Sequence, residues 1–321
     1  MKISVLYDKY FLKLTAEALE TLKVELPDVT ISYCGNNDSV CLEDVIESEV
    51  IFGKPPPAMI KDLKNLKWLH LPSAGADPYV DKSLYADPLP LLTKSSGTFG
   101  IPISEYVLGM MVTLSHNFVS HHKNQLSGDW RQIWLETYDI FDSNVLVLGL
   151  GDIGTEVCRR LSGFGCRVIG FRNDPNVPHE LVDEVRPLSQ FRDSLPEADY
   201  VIVCLPGTEE TRSLIGREEF GLMKKRAIIV NVGRGYIIDT DALIDALNSG
   251  KIAGAGLDVT EPEPLPKEHP LWNAKNALIT PHVSAFTSVP AQRRFAIFKD
   301  LLKRYISGQE LFNIVDFKSG Y

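Results

Sequence analysis

One segment, NVLVLGLGDIG at 144–154, narrows the possible folds of this chain more than any other. An apolar run suited to a buried strand passes directly into Gly149, Gly151 and Gly154 at G-x-G-x-x-G spacing, and a helical run follows. A second strand, Arg167–Phe171, comes at the distance expected of a βαβ unit. The three glycines answer three physical needs. Gly149 allows the tight turn, Gly151 lets backbone N–H groups approach a pyrophosphate, and Gly154 lets the helix pack closely on the strand. With Leu150, Asp152 and Ile153 completing the loop, the segment predicts a dinucleotide site.

The rest of the chain alternates in the same way, the pattern of parallel βαβ units. Before the glycine loop, strands are expected at 2–8, 29–34, 50–53, 68–75 and 90–97, with helical stretches around 10–26 and 59–66. Apolar residues then recur at helical spacing from Pro102 to Gln125, predicting one long helix into a second block. Beyond the loop come strands at Val145–Leu148, Arg167–Phe171, Tyr200–Cys204, Ala227–Val232, Gly254–Asp258 and Ala277–Thr280. Helices fit between them at Gly154–Phe164 and Thr240–Ser249, and a last amphipathic run covers Pro290–Ser307.

Composition excludes several classes of partner. A net charge of −9 argues against nucleic acid or an anionic membrane surface. The longest apolar stretch, Tyr106–Leu114, is less than half of the roughly 20 residues a membrane span needs. The N-terminal MKISVLYDKYFLKL has no uninterrupted apolar region and no cleavage site, so no secretory signal is expected. Five cysteines without a C-x-x-C pair read as reduced thiols, with Cys158 and Cys204 buried, which fits a cytosolic protein without a metal site.

The choice of cofactor turns on the end of the second strand of the dinucleotide unit. An NAD site places an acidic residue there to bond the ribose 2′-hydroxyl. The segment CRVIGFRNDP has Arg172 instead, whose guanidinium can pair with a 2′-phosphate, so NADP is favoured. Asp174, two residues on, is the alternative ribose contact and keeps NAD open.

Three later segments share one format, a strand running into a polar turn. AIIVNVGRGYIID carries Arg234, GAGLDVTEPEPLP carries Asp258 and Glu263, and ALITPHVSAFT carries His282. In an open α/β sheet the loops beyond the carboxyl ends of the strands form the ligand crevice, so Arg234, Glu263 and His282 are expected to converge beside the nicotinamide. That set suits a 2-keto acid. A guanidinium binds the substrate carboxylate through paired hydrogen bonds, an imidazolium delivers the proton that accompanies hydride transfer, and a carboxylate behind the imidazole orients it and favours its charged form.

The ordered motifs GLGDIG, LPGTEETRSLIG, NVGRG, LDVTEPEPLP and TPHVSAFT resemble the D-isomer-specific 2-hydroxyacid dehydrogenase family over nearly the whole chain. The resemblance implies that Arg234 binds substrate, that His282 is the general acid/base and that Glu263 is its paired carboxylate. It implies cofactor contacts from Leu205, Pro206, Thr211 and Val232 besides the glycine loop, and places Asp258 near the nicotinamide carboxamide. Ser73, Ala74 and Gly75 match the family's substrate-carboxylate loop, the last two through their N–H groups. Tyr79, Phe99 and Phe286 are expected to set pocket width.

The family architecture implies two Rossmann-like or flavodoxin-like α/β domains, doubly wound parallel sheets with a cleft between them. The substrate domain would be discontinuous, 1–101 with 286–321, and the dinucleotide domain would cover 102–285. A homodimer through the dinucleotide domain is implied, with Trp130 and Trp134 near its interface and read as packing residues. With Tyr321 as the last residue no C-terminal regulatory domain of the phosphoglycerate dehydrogenase kind is expected, and Glu263 departs from the glutamine that formate dehydrogenases pair with their histidine. The expected activity is reduction of small 2-keto acids such as glyoxylate, hydroxypyruvate or pyruvate to D-2-hydroxy acids with NADPH. The competing class is a dinucleotide-sensing protein resembling the C-terminal-binding-protein corepressors, which would bind cofactor but turn over feebly.

Overall fold

The structure, a computed structural model, describes residues 1–6, 16–34, 40–133, 137–287, 290–318 and 320. It divides into two compact units, one of Met1–Phe99 with Phe286–Tyr321 and one of Gly100–Ala285. Both are built on parallel sheets, as the alternating pattern predicts.

The first unit contains β1 (Lys2–Leu6), α1 (Ala16–Glu25), β2 (Thr30–Cys34), α2 (Leu42–Val45), β3 (Val50–Phe52), β4 (Trp68–Leu71) and β5 (Leu91–Lys94), and it is completed near the C-terminus by a long helix, Pro290–Ser307. Its five strands lie in the order β2-β1-β3-β4-β5. Strands buried on both faces need continuous apolar sequence; β3 supplies it, and β4 does so except at His70. One face packs Phe298, Leu301 and Leu302 of the C-terminal helix against Ile3, Val5, Phe52 and Trp68. The other face is covered by Ile60, Leu63, Tyr79, Tyr85 and Val315. The expected helix at 59–66 is instead a 3₁₀ turn over Pro57–Asp62, stopped at Leu63 by a non-helical ψ of 65°.

A buried histidine lies at the centre of this unit. His70 Nδ1 is 2.7 Å from Thr93 Oγ1 and Nε2 is 3.1 Å from Ser95 Oγ, while Trp68 Nε1–H donates to Thr93 Oγ1 at 2.8 Å. Burial holds the imidazole down to about 3, against an ordinary 6.5. The folded chain therefore keeps His70 neutral while the unfolded chain binds a proton below about 6.5, so stability is full above that pH and is lost as pH falls towards 3. Thermal unfolding of the wild type should show a loss of about 2 kcal/mol between pH 7 and pH 5 that His70→Gln lacks. Parallel curves for the two proteins would remove His70 as the cause.

The second unit opens with α3 (Gly100–Ser115) and α4 (Phe118–Ser127). The single helix expected over 102–125 is thus broken. Asn117 sits at φ 55°, in the left-handed region that asparagine tolerates better than most residues, and the chain restarts in a new direction. Trp130 beyond the break is 95% exposed, and Trp134 lies outside the described residues. Then follow β6 (Asn144–Leu148), α5 (Asp152–Leu161), β7 (Arg167–Arg172), β8 (Glu184–Pro187), α6 (Phe191–Ser194), β9 (Tyr200–Val203), α7 (Arg217–Leu222), β10 (Ile228–Asn231), α8 (Thr240–Asn248), β11 (Gly254–Leu257) and β12 (Ala277–Ile279); the C-terminal helix Pro290–Ser307 becomes α9.

These seven strands run in the order β12-β11-β10-β9-β6-β7-β8. The chain builds β6, β7 and β8 in one direction, returns to β9 on the other side of β6 and builds outward again. The reversal between β6 and β9 is the position where open α/β sheets hold their ligands. β8 is not expected from the residues, because EVRP has no strand-like apolar pattern. Its place at the sheet edge explains that, with Arg186 paired to Glu184 and Glu197 at 2.7 and 2.5 Å. Cys158 is buried, which pushes its thiol up to about 12, and burial raises the Cys204 thiol as well, so both are inert as nucleophiles. Among the described residues no helix is long and apolar enough to cross a membrane.

Candidate active site

The glycine loop leaves β6 with its backbone ladder intact, Gly149 N–H donating to Phe171 O at 2.9 Å. Gly149 has φ 97°, and a Cβ there would lie 2.9 Å from Cys204 O, so the turn demands glycine on both counts. Gly154 is needed for closeness alone: its Cβ would fall 1.8 Å from Gly149 O, which lets α5 sit directly on the turn. At Gly151 a Cβ would meet open space, and the residue begins α5 without a side-chain cap. A helix that starts on such an open glycine is the kind of place where backbone N–H groups and the helix dipole hold a pyrophosphate. Leu150 folds over Gly170 of β7. The Asp152 carboxylate accepts the Gly100 N–H at 3.1 Å, so its charge is drawn towards the start of α3.

Arg172 ends β7, partly exposed. The carboxylate of Asp174, the alternative ribose contact, accepts hydrogen bonds from its own turn, the N–H and side-chain amide of Asn176 at 3.0 and 3.1 Å. His179, which sequence reading does not single out, reaches back to the first turn of α5, its Nε2 3.1 Å from Thr155 Oγ1. Burial, then the charges of Arg172 and Arg159, hold His179 below the ordinary histidine range. Arg172 and Arg159 thus both act on the region beyond β7, beside the carboxylates of Asp174 and Glu180.

The loop after β9 holds Leu205 buried and Pro206 exposed. Thr211 clasps this loop from within: its hydroxyl accepts from Thr208 N–H at 2.9 Å and donates to Pro206 O at 2.9 Å. It shapes its own loop rather than offering a free hydroxyl. Val232 is buried, continuing β10 with its N–H on Val203 O at 3.1 Å. In the next turn Asn231 Nδ2 donates to Arg234 O at 2.9 Å, and Gly233 N–H donates to Asn231 Oδ1 at 3.0 Å. Gly235 abuts Thr260 so closely that a Cβ would lie 2.0 Å from its carbonyl. Arg234 is thereby fixed at the backbone, partly exposed, with its Nη1 on Gly233 O at 2.8 Å.

Asp258 follows β11 and is almost fully buried, with 1% exposed. Its Oδ1 accepts the Thr280 hydroxyl at 2.7 Å and Val283 N–H at 2.9 Å, and Oδ2 accepts Ser284 N–H at 3.0 Å. Its carbonyl accepts His282 N–H at 2.8 Å. The side chain expected near a carboxamide is therefore a clamp on the turn that carries His282. That turn holds His282 at φ 54°, a left-handed conformation costing on the order of 1 kcal/mol that the four bonds offset.

His282 Nδ1 lies 2.6 Å from Glu263 Oε1, both side chains nearly half exposed. Pro262 and Pro264 flank Glu263, and Thr240 Oγ1 and Thr260 Oγ1 donate to the carbonyls of Glu261 and Pro262 at 3.0 and 2.9 Å, so the approach to Glu263 is fixed. The carboxylate selects the tautomer with Nδ1–H and leaves Nε2 as the other ring nitrogen available for proton transfer. Because β10, β11 and β12 are neighbours in the sheet, the loops bearing Arg234, Asp258 with Glu263, and His282 emerge side by side. The glycine loop starts on β6, two strands and about 10 Å along the sheet from β10, with β11 and β12 farther out.

Ser73, Ala74 and Gly75 form a separate turn after β4 in the first unit. Ser73 Oγ donates to Gly75 O at 2.8 Å, and Ser95 N–H donates to Ser73 O at 3.1 Å. Tyr79 and Phe99 are buried and Phe286 is 39% exposed.

Comparison with known proteins identifies the family. The NAD-binding domain of the D-isomer specific 2-hydroxyacid dehydrogenases matches residues 108–284. A structure of a D-isomer specific 2-hydroxyacid dehydrogenase family protein from Aeromonas salmonicida subsp. salmonicida A449 is 31% identical and superposes with a TM-score of 0.85, covering 98% of this chain and 99% of that one. A D-isomer specific 2-hydroxyacid dehydrogenase from Xanthobacter autotrophicus Py2, solved with NADPH and MES, is 28% identical with a TM-score of 0.83, covering 99% of each chain. A glyoxylate reductase of Thermococcus gammatolerans is 41% identical over 160 residues, 49% of this chain and 47% of its own length. By motif, fold and these matches, the chain belongs to the D-isomer specific 2-hydroxyacid dehydrogenase family and is a nicotinamide-dependent oxidoreductase.

Proposed function

We propose that the protein reduces small 2-keto acids to D-2-hydroxy acids and prefers NADPH to NADH. The observation that carries this reading is the His282–Glu263 contact of 2.6 Å on a turn clamped by Asp258. The residues suited to the cofactor are the amides of the glycine loop and first turn of α5, Leu150, Leu205, Pro206, Val232 and Arg172. When bound, a reduced nicotinamide supplies the hydride.

The chain's own residues do the rest. Arg234 holds the substrate carboxylate and draws electron density from the keto group. His282, charged before the reaction, passes its Nε2 proton to the carbonyl oxygen as that oxygen becomes a hydroxyl. Glu263 holds Nδ1–H throughout and stabilises the imidazolium. The N–H groups of Ala74 and Gly75 are assigned to the substrate carboxylate as well. NADPH preference is supported by Arg172 at the end of β7 and by the Asp174 carboxylate being bonded in its own turn. Small keto acids are supported by the relative named glyoxylate reductase. A cytoplasmic homodimer through the second unit accords with the exposed Phe118 and Leu126 on α4.

The test is the oxidation of NADPH and of NADH in the presence of glyoxylate, hydroxypyruvate, pyruvate and a bulkier 2-keto acid. Turnover with at least one small keto acid, faster with NADPH at equal concentration, is expected. Tight cofactor binding with no turnover on any pair would instead favour a dinucleotide sensor.

A further inference from the structure

The loop after β9 and the turn after β10 are joined along a backbone seam. Ser213 N–H donates to Tyr236 O at 2.8 Å, and Ile215 N–H donates to Ile237 O at 3.1 Å. Across this seam the ring of Tyr236 reaches back over the β9 loop, with the Arg212 guanidinium carbon 4.4 Å from its centroid. The far end of the ring meets Gly207. No left-handed φ requires glycine there; the requirement is space. A Cβ on Gly207 would lie 1.9 Å from the Tyr236 hydroxyl oxygen, 2.6 Å from its Cζ and 2.7 Å from Arg234 Cγ. The phenol and the Arg234 stem therefore occupy one notch, and the missing side chain of Gly207 is what opens it.

We propose that Tyr236 is a positioning residue for Arg234 and that Gly207 is the notch admitting both. An arginine stem has several rotatable bonds, and its guanidinium is useful only where it meets the carboxylate squarely. A rigid ring held under Arg212 walls one side of that stem and limits the orientations it samples before substrate arrives. The inference rests on the assignment of Arg234 to the substrate.

Steady-state kinetics of Gly207→Ala, Tyr236→Ala, Tyr236→Phe, the Gly207→Ala/Tyr236→Ala pair and Arg234→Ala test it, each with a thermal melt. Gly207→Ala is expected to raise the keto-acid KM about tenfold while the NADPH KM stays within about threefold, since the methyl displaces the phenol and the stem. Tyr236→Phe keeps the wall and should retain near-normal kinetics, whereas Tyr236→Ala should not. In the pair, the methyl takes space the phenol has left, so the keto-acid KM should fall below that of Gly207→Ala alone. A keto-acid KM raised less than about fivefold by Gly207→Ala, or both KM values rising in step, overturns the proposal. If Gly207→Ala does not fold, equal kinetics for Tyr236→Ala and Tyr236→Phe overturn it. Arg234→Ala separates the two levels: unchanged keto-acid KM there removes the assignment of Arg234 itself. A raised value there with Gly207→Ala unchanged removes the positioning role alone.

Discussion

Replacing His282 with alanine should lower turnover by roughly 10²–10⁴-fold and leave the dissociation constant of NADPH unchanged within about twofold. The imidazole is the group whose ring is aimed by a carboxylate, through Nδ1 and Glu263 Oε1 at 2.6 Å. Its loss removes the proton donor without touching the glycine loop, whose glycines depend on contacts with Cys204, Gly149 and neighbouring backbone. Glu263→Gln should fall between wild type and His282→Ala. The amide oxygen still accepts from Nδ1–H, but the hydrogen bond is no longer charge-assisted. Glu263→Ala, which removes the acceptor too, should lose more than Glu263→Gln. Rapid-mixing measurement of a single turnover, with cofactor binding followed by fluorescence, checks all three variants. A His282→Ala enzyme retaining more than about a tenth of normal turnover would falsify the general-acid assignment.

The second large effect is expected at Arg172. Arg172→Ala should raise the KM for NADPH by about 10- to 100-fold, the worth of one or two charge-assisted hydrogen bonds, and move that for NADH by no more than about twofold. The contrast matters more than either value. A merely structural role for Arg172 would weaken both cofactors together, because both share the loop and the first turn of α5. Asp174→Ala is the matched control: its carboxylate already accepts from Asn176, so neither cofactor should be much affected. Initial rates with each cofactor at saturating keto acid provide the comparison. Equal losses for NADPH and NADH on Arg172→Ala would end the 2′-phosphate assignment.

Much of this is legible in the residues because parallel sheets leave a plain record. Strands buried on both faces read as apolar runs, and glycines appear where backbones touch, so β6, its loop and α5 can be placed before any coordinates. The loops bearing Arg234, Glu263 and His282 are legible for the same reason, each following such a strand. What escapes has no periodic record. β8 is a charged edge strand whose side chains pair with each other, and Asn117 breaks a helix through one backbone angle inside a run of helical character. Asp258 has a family role but not a visible one as a clamp, since its partners Thr280, Val283 and Ser284 lie over twenty residues on. Thr211 looks like a ligand group and is a clasp. His179 lies in an irregular stretch, and only the contact with Thr155 brings it to the cofactor loop. The notch at Gly207 needs three residues from two loops to be seen at all.

The clamp at Asp258 has an evolutionary consequence. Everything between that aspartate and Ser284, including β12 and the stretch around Trp272, is an excursion whose start and finish are tied together by one buried carboxylate and one carbonyl. The position of the imidazole is thus insulated from the path the chain takes in between. Sequence drift at the exposed positions of that excursion, such as Lys267, Glu268 and Trp272, can alter the surface without disturbing the turn that holds His282, whereas Leu271 and Ala274 belong to the core. A chain built this way can change its surface there while His282 stays registered to the strand end.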